Sequence, residues 1–351
     1  LSPQPQAAAR ARLSSRPTMS HLLPATPENV ERAAALLREG GVVAFPTETV
    51  YGLGAAARQP AAVARVYELK GRPRGHPLIV HLPAASHLDA WAEEVPPAAR
   101  ELARRFWPGP LTLVLRREGG VPDAVTGGQD TVALRVPGHP VALALLAAFG
   151  DGVAAPSANR FGRISPTLAA HVAEEFDDPA LVVLDGGPSD VGVESTILDL
   201  SDLERAGEAR LLRPGGVSRA ELEAVLGRRP LLPGEARAAA PRAPGGLKSH
   251  YAPTAPTRLV AADELLALAG ALPGAAVLAR RPAPAGFAGA WRALPADPAG
   301  YARGLYAALR ELDAAAPRVI LVEAPPAGEA WLAVRDRLAR AAADERGDDG
   351  P

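Results

Sequence analysis

Lys70-Gly71-Arg72-Pro73-Arg74-Gly75-His76 sets four side chains able to carry positive charge within seven residues. Gly71 and Gly75 allow a ligand close to the backbone, and Pro73 and Pro77 stiffen the loop, so its cations need little ordering on binding. Neutralising several oxygens together is what a polyphosphate requires, more than a lone carboxylate; a solvated basic turn is the plainer alternative. The lysine is informative in itself. Of 38 basic residues only Lys70 and Lys248 are lysine, and a lysine kept where arginine is otherwise the rule suits a site that needs a compact ammonium. The loop is not a Walker motif, because no G-x-x-x-x-G-K-[ST] precedes a helix.

Other segments add polar groups. Phe45-Pro-Thr-Glu-Thr-Val-Tyr-Gly-Leu-Gly54 runs from a strand end into Thr47, Glu48, Thr49 and Tyr51. The crevice beyond strand ends in an α/β sheet takes small polar ligands, although a capped strand-to-helix turn would use the same residues. Arg135 sits in Thr131–Val136, a strand otherwise apolar, so it must be ion-paired or aimed into a cleft where its fork suits a carboxylate. In Ala155-Pro-Ser-Ala-Asn-Arg-Phe-Gly-Arg-Ile-Ser-Pro-Thr167, Ser157 and Asn159 offer neutral donors and acceptors of little bulk. Ser165 is expected beside the N-terminus of a helix opening at Pro166-Thr167, a natural anion position. Ser195 and Arg213 each flank a strand, in Val193-Glu-Ser-Thr-Ile197 and Leu212-Arg-Pro-Gly-Gly216. Lys248, His250 and Tyr251 end a Pro/Ala-rich stretch that serves either as a tether or, folded back over a site, as a lid.

The elements that must position these residues alternate. Apolar runs at 42–45, 77–82, 111–116, 131–136, 152–155, 181–185 and 195–200 read as strands, with helices near 60–70, 97–106, 139–149 and 167–176. Thr26-Pro27-Glu28-Asn29 reads as a cap, an N1 proline and an acidic first turn opening a helix that stops at Gly40-Gly41. The expectation is an α/β fold with a twisted mixed sheet over 21–227, an interdomain linker over 228–256, and a smaller open-sheet α/β domain over 257–345. The second domain's strands fall at 257–261, 275–279 and 318–322, its helices at 263–270, 298–312 and 328–343. Residues 1–20 lack apolar periodicity and are expected to be disordered, either as a transit-like leader or as sequence upstream of a start at Met19, and 346–351 should fray.

With 351 residues the chain has length for roughly two domains at about 150 residues each. The 38 basic and 39 acidic side chains leave no global cationic field for nucleic acid. No apolar run is long enough for a membrane span, and the expectation is a soluble, cytoplasmic protein without membrane partners. The absence of Cys excludes disulfides, thiolate metal sites and a Cys nucleophile.

FPTETVYGLG, KGRPRGHPLIVH, FWPGPLTLVL, LRVP, APSANRFGRISPT, ESTI, LRPGG and HYAP, in this order, closely resemble the threonylcarbamoyl-AMP synthases, the YrdC-like family, over about residues 21 to 345. The C-terminal portion is similar to the Rossmann-like extra domain of the longer, two-domain members. The resemblance implies a YrdC-like fold and a nucleotidyl transfer: L-threonine, bicarbonate and ATP give threonylcarbamoyl-AMP and pyrophosphate. The product would pass to the machinery that installs threonylcarbamoyladenosine in tRNA, with no stable nucleic-acid binding required of this chain. By resemblance Lys70, Arg72, Ser157 and Asn159 carry catalysis. ATP is assigned to Lys70, Arg72, His76, Thr131, Ser157, Asn159, Ser165, Arg213 and Tyr251, and threonine or its carbamate to Thr49, His81, Arg135, Ala155 and Ser195. His76 is a departure, since the family commonly has Asn there. Mg²⁺ is expected to arrive with ATP, carried by phosphate oxygens with no protein metal cage.

Two rivals have different chemistry. An RNA-binding module would use the basic cleft for tRNA, but the near-neutral charge and the lack of an aromatic stacking platform weigh against it. A carbamoyl-adenylating hydrogenase maturation factor carries a related domain, but such proteins are longer and have Cys-rich zinc modules.

Overall fold

The computed structural model describes residues 22–233, 235, 240–246, 250–287 and 289–343. Lys248 and the expectations for 1–20 and 346–351 lie outside them. Fourteen strands occur among the described residues: β1 (Leu22–Pro24), β2 (Val43–Phe45), β3 (Gly52–Ala56), β4 (Ile79–His81), β5 (Leu111–Arg116), β6 (Thr131–Arg135), β7 (Val153–Ala154), β8 (Val182–Asp185), β9 (Thr196–Asp199), β10 (Arg210–Arg213), β11 (Thr257–Val260), β12 (Ala275–Ala279), β13 (Trp291–Ala293) and β14 (Val319–Glu323). The first ten form one mixed sheet, ordered β1-β8-β2-β3-β7-β4-β6-β5-β9-β10, and the last four a parallel sheet, ordered β11-β14-β12-β13. A mixed α/β sheet with a smaller open sheet is the expected fold. No helix among the described residues is long and apolar enough to cross a membrane.

Residue alternation across the middle of the large sheet creates the two surfaces that matter. β4 pairs parallel with β6 (Ile79 opposite Ala133, His81 opposite Arg135), and β6 pairs antiparallel with β5 (Ala133 opposite Val114). Side chains opposite one another point to the same face. Val80, Leu113, Leu115, Leu134 and Leu198 therefore face a large core that takes in the helices Pro97–Phe106 and Arg219–Leu226. Ile79, Val114, Ala133 and Ile197 form a small apolar patch on the other face, with Leu212 and Ala243 against it. Ala243 comes from the stretch 228–256 expected as a linker.

Several local expectations need correction. β3 lies where Phe45–Gly54 reads as a strand end and turn. Gly54 is strand, not punctuation: a Cβ there would sit 2.6 Å from a Val153 methyl and 2.7 Å from the Phe45 ring. The helix after Ser165 starts at Ala169, so Ser165 is not at its N-terminus. β1 and β13, three residues each, were not expected.

Candidate active site

An open cleft on that second face, with about 540 Å³ between its atoms including solvent at the mouth, is lined by Ile79, His81, Arg135, Ser157, Ser195 and Arg213 among others. Each is placed by an element. His81 and Arg135 end β4 and β6 side by side. Ser195 precedes β9, and its hydroxyl shares a 2.8 Å hydrogen bond with Thr112. At the end of β10 the register slips, so that Arg213 rather than Leu212 falls opposite Ile197; a bulge of this kind re-aims a side chain. Arg213 then donates from Nε to the Ser195 carbonyl (3.0 Å), from Nη2 to the Ser195 hydroxyl (3.1 Å) and from Nη1 to the Pro244 carbonyl (3.2 Å).

Arg135 is both ion-paired and among the residues that line the cleft. It donates from Nη2 to Glu48 Oε1 at 2.6 Å, from Nη1 to Thr49 Oγ1 at 3.0 Å and from Nε to the Gly109 carbonyl at 3.2 Å. The segment 47–50 holds itself in place: the Thr47 hydroxyl donates to the Val50 carbonyl and accepts from the amides of Thr49 and Val50.

The basic loop turns only Arg72 of its four cationic side chains into the cleft lining. The helix Pro60–Lys70 ends on Gly71 in the left-handed region (φ 63°). The Lys70 side chain then turns inward, 3% exposed, and donates Nζ to the carbonyls of Ser157 (2.6 Å) and Asn159. Burial pushes this ammonium well below its ordinary range, Arg72 adds to the shift and Glu175 opposes it. Lys70 is not among the lining residues and instead holds the carbonyls of Ser157, which is, and of Asn159 just beyond it. Arg72 does line the cleft, donating Nη2 to the Pro77 carbonyl at 3.0 Å. Burial lowers its pKa to about 10, with the nearby Tyr67 and Tyr251 opposing and Arg213 reinforcing. Asn159 donates its side-chain amide to the carbonyls of Arg160 and Arg163. Ser165 donates to Glu194 Oε1 at 2.5 Å, in place of an anion at a helix end.

Described residues of the stretch 228–256 contribute to the wall of the cleft. Pro244, Gly245, His250 and Tyr251 are among its lining. Tyr251 is 1% exposed and left-handed (φ 60°). The backbone around it is tied on both sides: the His250 amide donates to the Arg340 carbonyl and the Ala252 amide to the Gly162 carbonyl. Rings of His76, Phe161, His250, Tyr251 and Tyr306 follow in contact, with centroids 5.6, 6.0, 4.1 and 5.9 Å apart. Burial, reinforced by nearby cations, pushes the imidazoles of His81 and His250 each down to about 3, so both are neutral at pH 7.

Of the sequence-predicted residues, Thr49, Arg72, His81, Arg135, Ala155, Ser157, Ser195, Arg213 and Tyr251 meet on the cleft. Lys70 and Ser165 stand one contact behind it, through Ser157 and Glu194, and Asn159 behind Lys70. His76 lies further out, with its ring against Phe161. Thr131 shares the Ala133 and Arg135 face of β6, about 13 Å from Arg135 at roughly 3.3 Å per residue; the length of a nucleotide would be needed to touch both. Glu48 and Glu194 are the carboxylates of the lining. Sequence reasoning gave Glu194 no role, though a charge between Val193 and Ser195 at a strand entrance was a signal. Several buried polar atoms here have no partner among the described residues: Arg72 Nε, His81 Nδ1, Asn159 Oδ1, His250 Nδ1, the Tyr251 hydroxyl and Glu48 Oε2. Buried polar atoms are ordinarily satisfied, so such a set marks groups suited to a ligand.

Arginines over a sheet face, with small hydroxyls between them and aromatic rings beside them, give the cleft groups suited to a small, multiply charged ligand. The Sua5–YciO–YrdC family model, described as "Telomere recombination", matches residues 35–215, and a second model, "Threonylcarbamoyl-AMP synthase, C-terminal domain", matches 217–343. The chain belongs to the Sua5–YciO–YrdC family. It is 49% identical over 226 residues to the threonylcarbamoyl-AMP synthase of Pyrococcus abyssi, covering 64% of this chain and 65% of that one. It is also 49% identical over 232 residues to that of Bacillus subtilis, with 65% of each covered. The match thus spans just under two thirds of these relatives' lengths. The crystal structure of P. abyssi Sua5 complexed with L-threonine superposes with a TM-score of 0.83 at 39% identity, over 92% of this chain and 96% of that one.

Proposed function

We propose that this chain is an L-threonylcarbamoyladenylate synthase, converting L-threonine, bicarbonate and ATP to threonylcarbamoyl-AMP and pyrophosphate in the cytoplasm, for modification of tRNA by downstream machinery. The observation that carries the reading is the convergence of Arg72, Arg135 and Arg213 with Thr49, Ser157 and Ser195 on one lidded cleft. The names of the relatives and the threonine complex support it. In this reading 21–227 holds the chemistry, 228–256 covers it and 257–345 supports the cover.

The threonine amine and bicarbonate combine into a carbamate with loss of water; a carbamate oxygen attacks the α-phosphorus, and pyrophosphate leaves. No covalent enzyme intermediate is needed, so the protein's contribution is proximity and electrostatics. Arg135, held by Glu48, faces the threonine carboxylate, with Thr49, His81, Ala155 and Ser195 around the rest of that substrate. Arg72, Arg213 and Ser157 take the phosphates, with Lys70 and Asn159 shaping the loop beneath them. Ser165 acts through Glu194, Thr131 and His76 lie toward the ends of the nucleotide, and Tyr251 excludes water from the labile carbamate. No group of three or more His, Asp or Glu among the described residues could hold a metal ion, and both cleft carboxylates are paired with arginine. With those carboxylates taken up by arginine, Mg²⁺ would be carried by the ATP phosphate oxygens. Incorporation of labelled bicarbonate carbon into an adenylate, dependent on threonine, tests the reading; salt-sensitive RNA binding without such a product would favour an RNA-binding module.

A further inference from the structure

Arg337 belongs to the last described helix, Leu332–Ala341, on the small-sheet side of the molecule, yet its side chain is fully buried against the large-sheet side. Its three nitrogens diverge. Nε donates to Glu194 Oε2 at 2.6 Å, Nη2 to the Pro214 carbonyl at 3.0 Å and Nη1 to Asp336 Oδ2 at 2.6 Å. The guanidinium carbon also lies 5.1 Å from the Tyr251 ring centroid. Glu194 is a hub: besides Arg337 it accepts from the Ser165 hydroxyl at 2.5 Å and from the Tyr306 hydroxyl at 2.9 Å. Burial alone would raise the Glu194 carboxyl, but Arg337, Arg213 and the Ser165 hydroxyl bring it down to about 2, so the pair is charged at neutral pH.

Three separate cleft segments therefore meet at one side chain: 194–195, 213–214 and the lid at 251. A buried ion pair is weak as a source of stability, since apolar residues of similar volume often serve as well or better. What it supplies is fixed geometry, and a guanidinium spreads its donors over three nitrogens of one rigid plane, whereas the three donors of an ammonium share a single atom. We propose that Arg337 is a positioning residue for the nucleotide half of the cleft, so that the second sheet's side of the molecule sets the placement of Arg213, Glu194 and Tyr251 rather than merely carrying the linker. Arg337 touches neither substrate nor reacting atoms in this scheme, and the inference rests on the adenylate synthase reading.

The test uses the full chain with Arg337→Lys and the double variant Glu194→Gln/Arg337→Met, which removes both charges together. Melting curves, ATP affinity by direct binding without threonine, KM and kcat for pyrophosphate release, and amide exchange over 240–246 and 250–253 are measured. The expectation is a folded Arg337→Lys protein whose ATP dissociation constant and KM rise roughly ten- to a hundredfold, about the worth of one charge-assisted hydrogen bond. The threonine KM should move less, and exchange over 250–253 should quicken. The double variant should fold and show the same ATP defect. Unchanged ATP affinity and exchange in a folded Arg337→Lys protein would overturn the proposal. Failure of both variants to fold would overturn it as well, making the pair a structural tie. If the parent chain released no pyrophosphate with threonine and bicarbonate, the adenylate reading would fail, while binding and exchange would still decide whether Arg337 positions the cleft.

Discussion

Replacing Lys70 with arginine keeps the charge and should still damage the protein. Its ammonium is a point donor shared by the carbonyls of Ser157 and Asn159, in a space that leaves the residue 3% exposed. Arginine puts a planar carbon where that nitrogen sits and pushes its own nitrogens past the two carbonyls, so the 157–159 segment must move or the side chain must leave. Overpacking of this kind costs about 1–3 kcal/mol. Taken up wholly by the segment that faces the ligand, that is roughly a 5- to 150-fold loss of affinity. Initial rates over a range of ATP concentrations, alongside thermal melting, separate a misplaced segment from a destabilised fold. A Lys70→Arg protein with parental ATP KM and parental melting temperature would refute the reasoning that the lysine is kept for its shape.

Three other perturbations have defined outcomes. His81 and His250 have folded pKa values of about 3 against an ordinary 6.5. Above pH 6.5 both states are neutral and nothing changes; below it the unfolded chain takes protons that the folded one refuses, so stability is lost as pH falls toward 3. From pH 7 to 5 the loss should be about 2 kcal/mol per histidine, and a denaturation midpoint that stays flat over that range would contradict it. Tyr251→Phe removes a buried hydroxyl that has no partner among the described residues; it should leave stability equal or higher while raising the ATP KM several-fold, about 0.5–1.5 kcal/mol, and an unchanged KM would take the hydroxyl out of the site. Glu48→Gln leaves Arg135 without its buried counter-charge; on the order of 3 kcal/mol of stability should go with a rise in the threonine KM larger than that for ATP, whereas a lowered threonine KM would mean Glu48 competes with the substrate.

The elements read to the residue were those with continuous apolar runs and clear ends: β5 at 111–116, β12 at 275–279 and the helix Pro97–Phe106. β3 was hidden because close packing against Phe45 and Val153 demands glycine, and glycine in a short segment looks like a turn. Many cleft residues were legible because polar groups at strand ends have few structural uses. Their partners were not. Arg337 is 143 residues from Glu194, and nothing local to a helix rich in arginine says which one turns inward. The role of Lys70 was half visible: its rarity marked it, but only the fold shows the ammonium spent on backbone carbonyls behind the cleft.

In the proposed reaction this cleft joins a threonine carbamate to the α-phosphate of ATP. Pyrophosphate release from ATP, with threonine and bicarbonate omitted in turn, measures it most directly. Release is expected with both present and background without either one, because ATP alone would meet no carbamate to attack it. Equal rates with and without threonine would contradict it.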